Sequence, residues 1–295
     1  MHIGKVELWP VSDGISWGDG GGAFGLVPKT RWQELLPSDE NNLVPMVIRC
    51  LLIRSEGKTI LVDTGLGERA TPQAAARLGF RLERPHGGLL DDLARHGVRP
   101  EEVDSVILTH LHADHCGGNT RERDGRLAPA FPRAQHWIQR REWDDAHHPN
   151  ERTRGTYFRH NLSPVEEAGL VHLIDGDTQV TGEVRTVVTP GHTPAHQSVI
   201  VESQGQTLFF TGDLAMWRWN LERLAWVTAY DVEPLVTIET KRRWQAWLAE
   251  RQAIIVFDHD PAIEAGILRR GDDGYYQLEV IQPVSAELYS AGSGK

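Results

Sequence analysis

The residues able to do chemistry in this chain gather in four short segments. The first reads His110-Leu111-His112-Ala113-Asp114-His115 and the second Pro190-Gly191-His192-Thr193. The third is Thr211-Gly212-Asp213 and the fourth Phe257-Asp258-His259-Asp260. Imidazoles and carboxylates, with no thiolate needed, suit zinc and also iron, manganese or cobalt. In an extended stretch residues i and i+2 point the same way, so His110 and His112 face one ion together. Asp114 and His115 follow a bend and face a second ion. His192 adds a third nitrogen to the first ion, and His259 completes the second. Asp213 bridges both with its two oxygens. These seven ligands are enough for two divalent metal ions per chain, zinc first. A water shared by two such ions loses a proton near neutral pH, and the bridging hydroxide attacks a carbonyl carbon or a phosphorus. One metal then stabilises the developing oxyanion. Asp114 is placed to accept and relay a proton. His96 and the pair His147 and His148 read as bystanders. No serine or cysteine stands in a recognisable nucleophile setting.

Each segment follows an apolar run that reads as a strand, which puts it at a strand end, where loops build sites. Val103 to Leu108 runs into His110, Val184 to Val188 into His192, Thr207 to Phe210 into Asp213, and Ala253 to Phe257 into His259. Further strands are expected at Lys5–Trp9, Val47–Arg54, Thr59–Val62, Ala134–Ile138 and Ser198–Val201, with hairpin turns at 55–58 and 204–205. Helices are expected at Thr71–Leu78, Leu89–His96, Arg140–Ala146 and Leu235–Glu250. Residues 13–25 are rich in glycine and read as a loop. Gly117-Gly118-Asn119 lets the chain turn tightly into a helix. Strands alternate with helices and hairpins also occur, so mixed sheets with helices outside fit best.

Composition narrows the function classes. With 295 residues, of which 40% are apolar, the chain can bury a sizeable core as one large α/β unit. The net charge of −10 argues against a nucleic-acid surface or an anionic membrane, either of which would need a basic patch. Two cysteines, Cys50 and Cys116, imply no disulfide framework. Met1-His2-Ile3-Gly4-Lys5 is not expected to open a signal peptide, and no apolar run approaches the roughly 20 residues of a membrane span. A cytoplasmic protein is the default expectation.

On these motifs the chain resembles the metallo-β-lactamase fold superfamily. The family pattern of two spaced histidines, an aspartate and a histidine is matched by residues 110–115. The family's later histidine, bridging aspartate and final histidine are matched by His192, Asp213 and His259. Leu61-Val62-Asp63-Thr64-Gly65 is similar to the family's early strand end, which implies that Asp63 stands beside the ligands rather than on a metal. The resemblance covers about residues 3–262. It implies a four-layer αββα sandwich, mixed α/β, with the metals at one edge of two mixed sheets. The expected organisation is a single domain over 1–295, with residues 13–45 as an N-terminal loop excursion and 286–295 as a flexible tail. His112 stands where the oxygen-reducing diiron branch carries glutamate. Met216 stands where the acyl-homoserine lactonases carry tyrosine. The stretches Gly20–Lys29 and Arg49-Cys50-Leu51-Leu52 nevertheless look like the lactonase and organophosphate-hydrolase-like branch.

The resulting expectation is a two-metal hydrolase of carboxylic esters or lactones acting on a small molecule. The alternatives are a phosphotriester or thioester hydrolase of the same fold, or a mononuclear iron oxygenase or redox protein. A homodimer is compatible with the branch. Phe24, Tyr157, Trp217 and Trp219 are candidate walls of the substrate pocket, with Phe158 and Trp226 beside them.

Overall fold

The strand Leu43–Ser55 shows how the layers arise. Leu51 and Ile53 turn into one core and Cys50 and Leu52 into another, and all four are fully buried. A strand covered on both faces reads as a nearly continuous apolar run. The same alternation places Ile60 and Val62 on one side of their strand and Leu61 on the other. The computed structural model describes residues 1–284; the expected tail at 286–295 lies outside the described residues.

Two large mixed sheets result. In the first, His2–Ile3, Val6–Asp19, Leu43–Ser55 and Lys58–Val62 pair antiparallel in that order. Ser105–Ile107, Gln135–Gln139 and Val171–Ile174 continue it in parallel, and Arg81–Glu83 pairs with Val6–Asp19. In the second, Thr178–Gln179, Val184–Val188, Gln197–Ser203 and Gln206–Phe210 pair antiparallel. Ile254–Val256 joins parallel to Gln206–Phe210, and Ile263–Arg270 and Tyr276–Pro283 complete the sheet antiparallel. The sheets face one another across a core in which Leu51, Ile53 and Ile107 meet Val199, Leu208 and Phe210. The outer face of the first sheet is covered by Leu89 and Leu93 of the helix Leu89–Arg95 and by Trp143 and Ala146 of Arg140–His147. The long helix Pro234–Arg251 covers the second sheet with Trp244 and Leu248. The architecture is the expected αββα sandwich.

Two expectations need correction. Residues 13–19 are not loop: Val6–Asp19 is one long strand, paired as far as Asp19 with Leu43 across a register break between Ser12 and Ile15. Glycine within a strand marks close approach rather than a turn. A Cβ on Gly14 would lie 2.4 Å from the Glu83 carbonyl oxygen, and one on Gly18 would lie 2.7 Å from Met46 Cε. Only after Asp19, whose carboxylate caps the short helix Gly20–Phe24, does the chain leave the sheet. Gly117-Gly118-Asn119 is itself a single 3-10 turn and does not lead into a longer helix. One helical turn, Ala113–Cys116, precedes it, and the strand Thr120–Arg123 follows.

Candidate metal centre

The four ligand segments meet because their strands end together. Ser105–Ile107 leads to His110, Val184–Val188 to His192, Gln206–Phe210 to Asp213 and Ile254–Val256 to His259. Gln197 ties the two sheets at this edge. Its backbone N–H donates to the Thr109 carbonyl at 2.9 Å, and its side-chain amide donates to the Leu108 carbonyl at 2.8 Å.

All seven predicted side chains converge, in two sets. In the first, His192 Nε2 lies 3.0 Å from His112 Nδ1 and 3.0 Å from Asp213 Oδ2. His110 Nε2 is 3.9 Å from the same oxygen. In the second, His259 Nε2 lies 3.3 Å from His115 Nε2 and 3.2 Å from Asp213 Oδ1. Asp114 Oδ2 stands 3.8 Å from His115 Nε2 and 3.7 Å from His259 Nε2. Asp213 thus turns one oxygen to each set. Donor atoms around a tetrahedral zinc sit about 3.4 Å apart for bonds of about 2.1 Å, so this spacing fits a metal shell. Buried polar atoms left without partners point the same way. His110 Nε2 and Asp213 Oδ1 are buried with no hydrogen-bond partner, a costly state that a cation would relieve.

The ring orientations are set from behind. His115 Nδ1 donates to Asp63 Oδ2 at 2.9 Å, His192 Nδ1 to Asp231 Oδ1 at 3.0 Å, and His259 Nδ1 to the Val47 carbonyl at 2.8 Å. His110 Nδ1 lies 3.1 Å from Thr109 Oγ1, which itself donates to Asp63. Each outward N–H fixes a tautomer that turns Nε2 inward. Asp63 holds a left-handed backbone, φ 59°, and accepts from Thr109 N–H at 2.8 Å as well. Strain of that kind collects at functional sites. Asp63 therefore stands behind the second donor set, held to His115 and Thr109.

Electrostatics follow from this crowding. Burial pushes His110 and His112 well below the usual histidine value, helped by the neighbouring imidazoles. Burial also disfavours charge on His192 and His259, but the carboxylates around them outweigh it and hold them at about 10 and about 9. Burial opposes ionisation of Asp213, yet His192, His115 and His259 keep it well below the carboxylate range. Divalent cations compete with protons for the same lone pairs, and binding releases those protons.

The model of the metallo-beta-lactamase superfamily matches residues 43–226. The chain belongs to this superfamily. As a member of the metallo-beta-lactamase superfamily it is a metal-dependent hydrolase that binds divalent metal. It is similar to the N-acyl homoserine lactonase of Bacillus cereus, 29% identical over 233 residues, covering 76% of this chain and 86% of the relative. It is also similar to the lactonase AttM of Agrobacterium fabrum, 29% identical over 184 residues, covering 59% of this chain and 64% of the relative. A probable metal-dependent hydrolase from Staphylococcus aureus superposes with TM-score 0.85 at 26% identity, covering 95% of this chain and 99% of that one. An N-acyl homoserine lactone hydrolase, solved with its product N-hexanoyl-L-homoserine at the catalytic metal centre, gives TM-score 0.68 at 25% identity, covering 88% and 94%.

A cavity of about 700 Å3 opens onto the superfamily's metal edge, with His112, Asp114, His192 and Asp213 on its floor. Its walls correct the pocket expectation. Phe24, Trp217 and Trp219 do not line it; they are buried with Trp32 in an aromatic cluster, Phe24 stacking on Trp32 at 4.7 Å and tilting against Trp217 at 4.7 Å. Aromatic area of this size is worth most when dry. Tyr157 is also inside, its ring 5.2 Å from His112 and its hydroxyl donating to Glu142 Oε1 at 3.0 Å. Phe158, expected beside them, does line the cavity, together with Phe80, Leu78, Met46 and Met216, and with Arg69 and Tyr230 among the polar members. A second cavity, about 300 Å3 around Asp13 and Arg84, contains none of the ligand set.

Several residues escaped the sequence. Glu142 is buried and joins three segments: Oε1 accepts from Leu111 N–H and Tyr157, and Oε2 from Thr193 Oγ1 at 2.6 Å. His196 Nε2 accepts from Asp213 N–H. Asp231 and Thr109 orient ligands. None belongs to a local pattern. Cys116 donates to the Leu111 carbonyl at 3.2 Å and faces the core. Among the described residues no helix is long and apolar enough to cross a membrane.

Proposed function

We propose that this protein hydrolyses a lactone or a related carboxylic ester with an apolar arm, at a centre of two divalent ions, zinc first. The observation that carries the reading is Asp213, whose two oxygens face the two imidazole sets at 3.0 and 3.2 Å on the floor of a largely apolar cavity. His110, His112 and His192 would hold one ion, and Asp114, His115 and His259 the other, with Asp213 between them. Paired cations, when bound there, supply an acidified water and a Lewis acid for the scissile carbonyl. Asp114 is the partly exposed carboxylate of the set, its side chain 36% open, and it takes the proton that the leaving alcohol oxygen later needs. Met216 offers no hydrogen to the substrate. Tyr230 carries the one phenol among the described lining residues and can bind a polar substrate atom.

Arg69 gives the wall a guanidinium. One of its nitrogens donates to Asn161 Oδ1 at 2.9 Å, while its Nε is buried without a partner. An amide carbonyl or carboxylate on the substrate arm would satisfy it. The N-acyl homoserine lactones for which the relatives are named carry an amide beside a lactone ring, which supports the reading.

The test is a panel of lactones, aryl esters, thioesters and phosphotriesters on enzyme of measured metal content. Lactones should turn over fastest, and either His112→Ala or chelation should abolish turnover. Full lactone hydrolysis after either treatment would sink the proposal, and phosphotriesters outrunning lactones would move the reading to the phosphotriesterase alternative. One iron per chain would favour the redox class.

A further inference from the structure

Two buried aspartates flank His259, and they are treated differently. Asp260 is 1% exposed and fully committed: its carboxylate accepts the backbone N–H groups of Arg218, Ala262 and Ile263. Asp258 is 0% exposed, and neither of its oxygens has a hydrogen-bond partner. Asp63, Asp231 and Glu142, buried acids behind the donor sets, are likewise satisfied. A structural role thus accounts for Asp260 and leaves Asp258 unexplained, because an unpaired buried carboxylate is strongly unfavourable.

The Asp258 side chain lies against the second donor set. Its backbone carbonyl accepts from Arg49 N–H at 3.0 Å, which fixes the chain beside Leu43–Ser55. Its Oδ2 then lies 3.6 Å from His259 Nε2. Asp258 offers an atom within 4.8 Å of those offered by His115, Asp213 and His259. The two donor sets consequently differ in chemistry. The first has three imidazoles and the shared Asp213. The second has two imidazoles, the shared Asp213, Asp114 and now Asp258.

We propose that Asp258 is a further ligand of the ion held by His115 and His259, and that it makes this position favour an oxygen-seeking ion such as manganese over zinc relative to the His110–His112–His192 position. Imidazole suits zinc, whereas carboxylate oxygen suits manganese, so a set with three carboxylates and two imidazoles is the harder of the two. Asp114, Asp213 and Asp258 also cancel three of the four charges that two divalent ions bring.

The proposal rests on the two-ion reading above, and its test separates the two. Metal-free wild type, Asp258→Asn and Asp258→Gly are titrated with manganese, with zinc and with both in competition, and ions per chain are counted by elemental analysis. Thermal melts are recorded with and without metal. Wild type should take two ions. Both variants should keep the first and bind manganese at the second at least tenfold more weakly, with a smaller change for zinc. The melting temperature of Asp258→Asn should gain less from manganese than that of wild type. A wild type that saturates at one ion ends the two-ion reading and this inference with it. A wild type with two ions beside variants of unchanged affinity and unchanged manganese-to-zinc ratio overturns the Asp258 assignment alone.

Discussion

His196 accepts the backbone N–H of Asp213 through Nε2 at 3.0 Å, while its Nδ1 donates to the Thr189 carbonyl at 3.2 Å. The ring is fully buried, and burial holds it neutral, with a pKa pushed down to about 3. It sits against Gly212, φ 51°, where a Cβ would lie 2.6 Å from Nε2. The residue that bridges the two donor sets is therefore held through its backbone by a histidine that is not itself in either set. His196→Leu should lower metal affinity about tenfold to a hundredfold, the range for losing an outer partner. Isothermal titration of metal-free protein reads this, and wild-type affinity in the variant would refute it.

Asp231 orients His192, and Thr228 Oγ1 donates to the same Asp231 oxygen at 2.8 Å. Asp231→Asn keeps the volume but weakens the hold on the Nδ1–H. Metal affinity should drop by roughly tenfold, mostly at the first donor set. Cobalt loaded as a spectroscopic probe should show a changed visible spectrum at one position only; an unchanged spectrum with unchanged affinity counts against the assignment.

Glu142 accepts from Leu111, Tyr157 and Thr193 and so ties the His110–His115 segment to the His192 turn. Glu142→Leu leaves those donors buried and unpaired, a loss of roughly 3 kcal/mol in the metal-free protein. Glu142→Gln should be milder because it keeps an acceptor. Urea unfolding of the three proteins without metal decides this, and equal midpoints would exclude the role.

Arg69→Met should raise KM for lactones bearing an amide or carboxylate on the arm, with kcat little changed. Lactones with a plain alkyl arm should be hydrolysed as well as before, because the apolar wall remains. A uniform rise in KM for both classes would argue against a contact between Arg69 and the arm.

His136 lies in Gln135–Gln139, fully buried, and burial holds its pKa down to about 4. The unfolded chain binds this proton more readily, from its ordinary value of 6.5. Its contribution is therefore intact above about pH 6.5 and lost as pH falls through about 4, a swing of roughly 3 kcal/mol. His136→Phe should make the fall in melting temperature across that window shallower, measured without metal. A slope equal to wild type would show that other groups govern acid unfolding.

Much of this was legible along the chain. The seven converging side chains lie in short segments behind apolar strands, and ligand spacing within a segment follows from local backbone geometry. Mixed sheets with helices outside followed too, since burial on both faces writes itself into apolar runs such as Cys50–Ile53; the four-layer order came from the family resemblance. Glycine is the misleading signal: its density over residues 13–25 predicts a loop, yet Gly14 and Gly18 mark places where Glu83 and Met46 press against a strand.

The remaining features arise between segments far apart in the sequence, and no local period encodes them. Asp231 reaches His192 across 39 positions, and Val47 reaches His259 across 212. Whether an aromatic faces the cavity or the core depends on what packs against it, which is why Phe158 lines the substrate space while Phe24 and Trp217 are sealed away. The bare oxygens of Asp258 belong to the same class: a carboxylate shows itself to be unpaired only when every neighbour that folding brings to it can be counted.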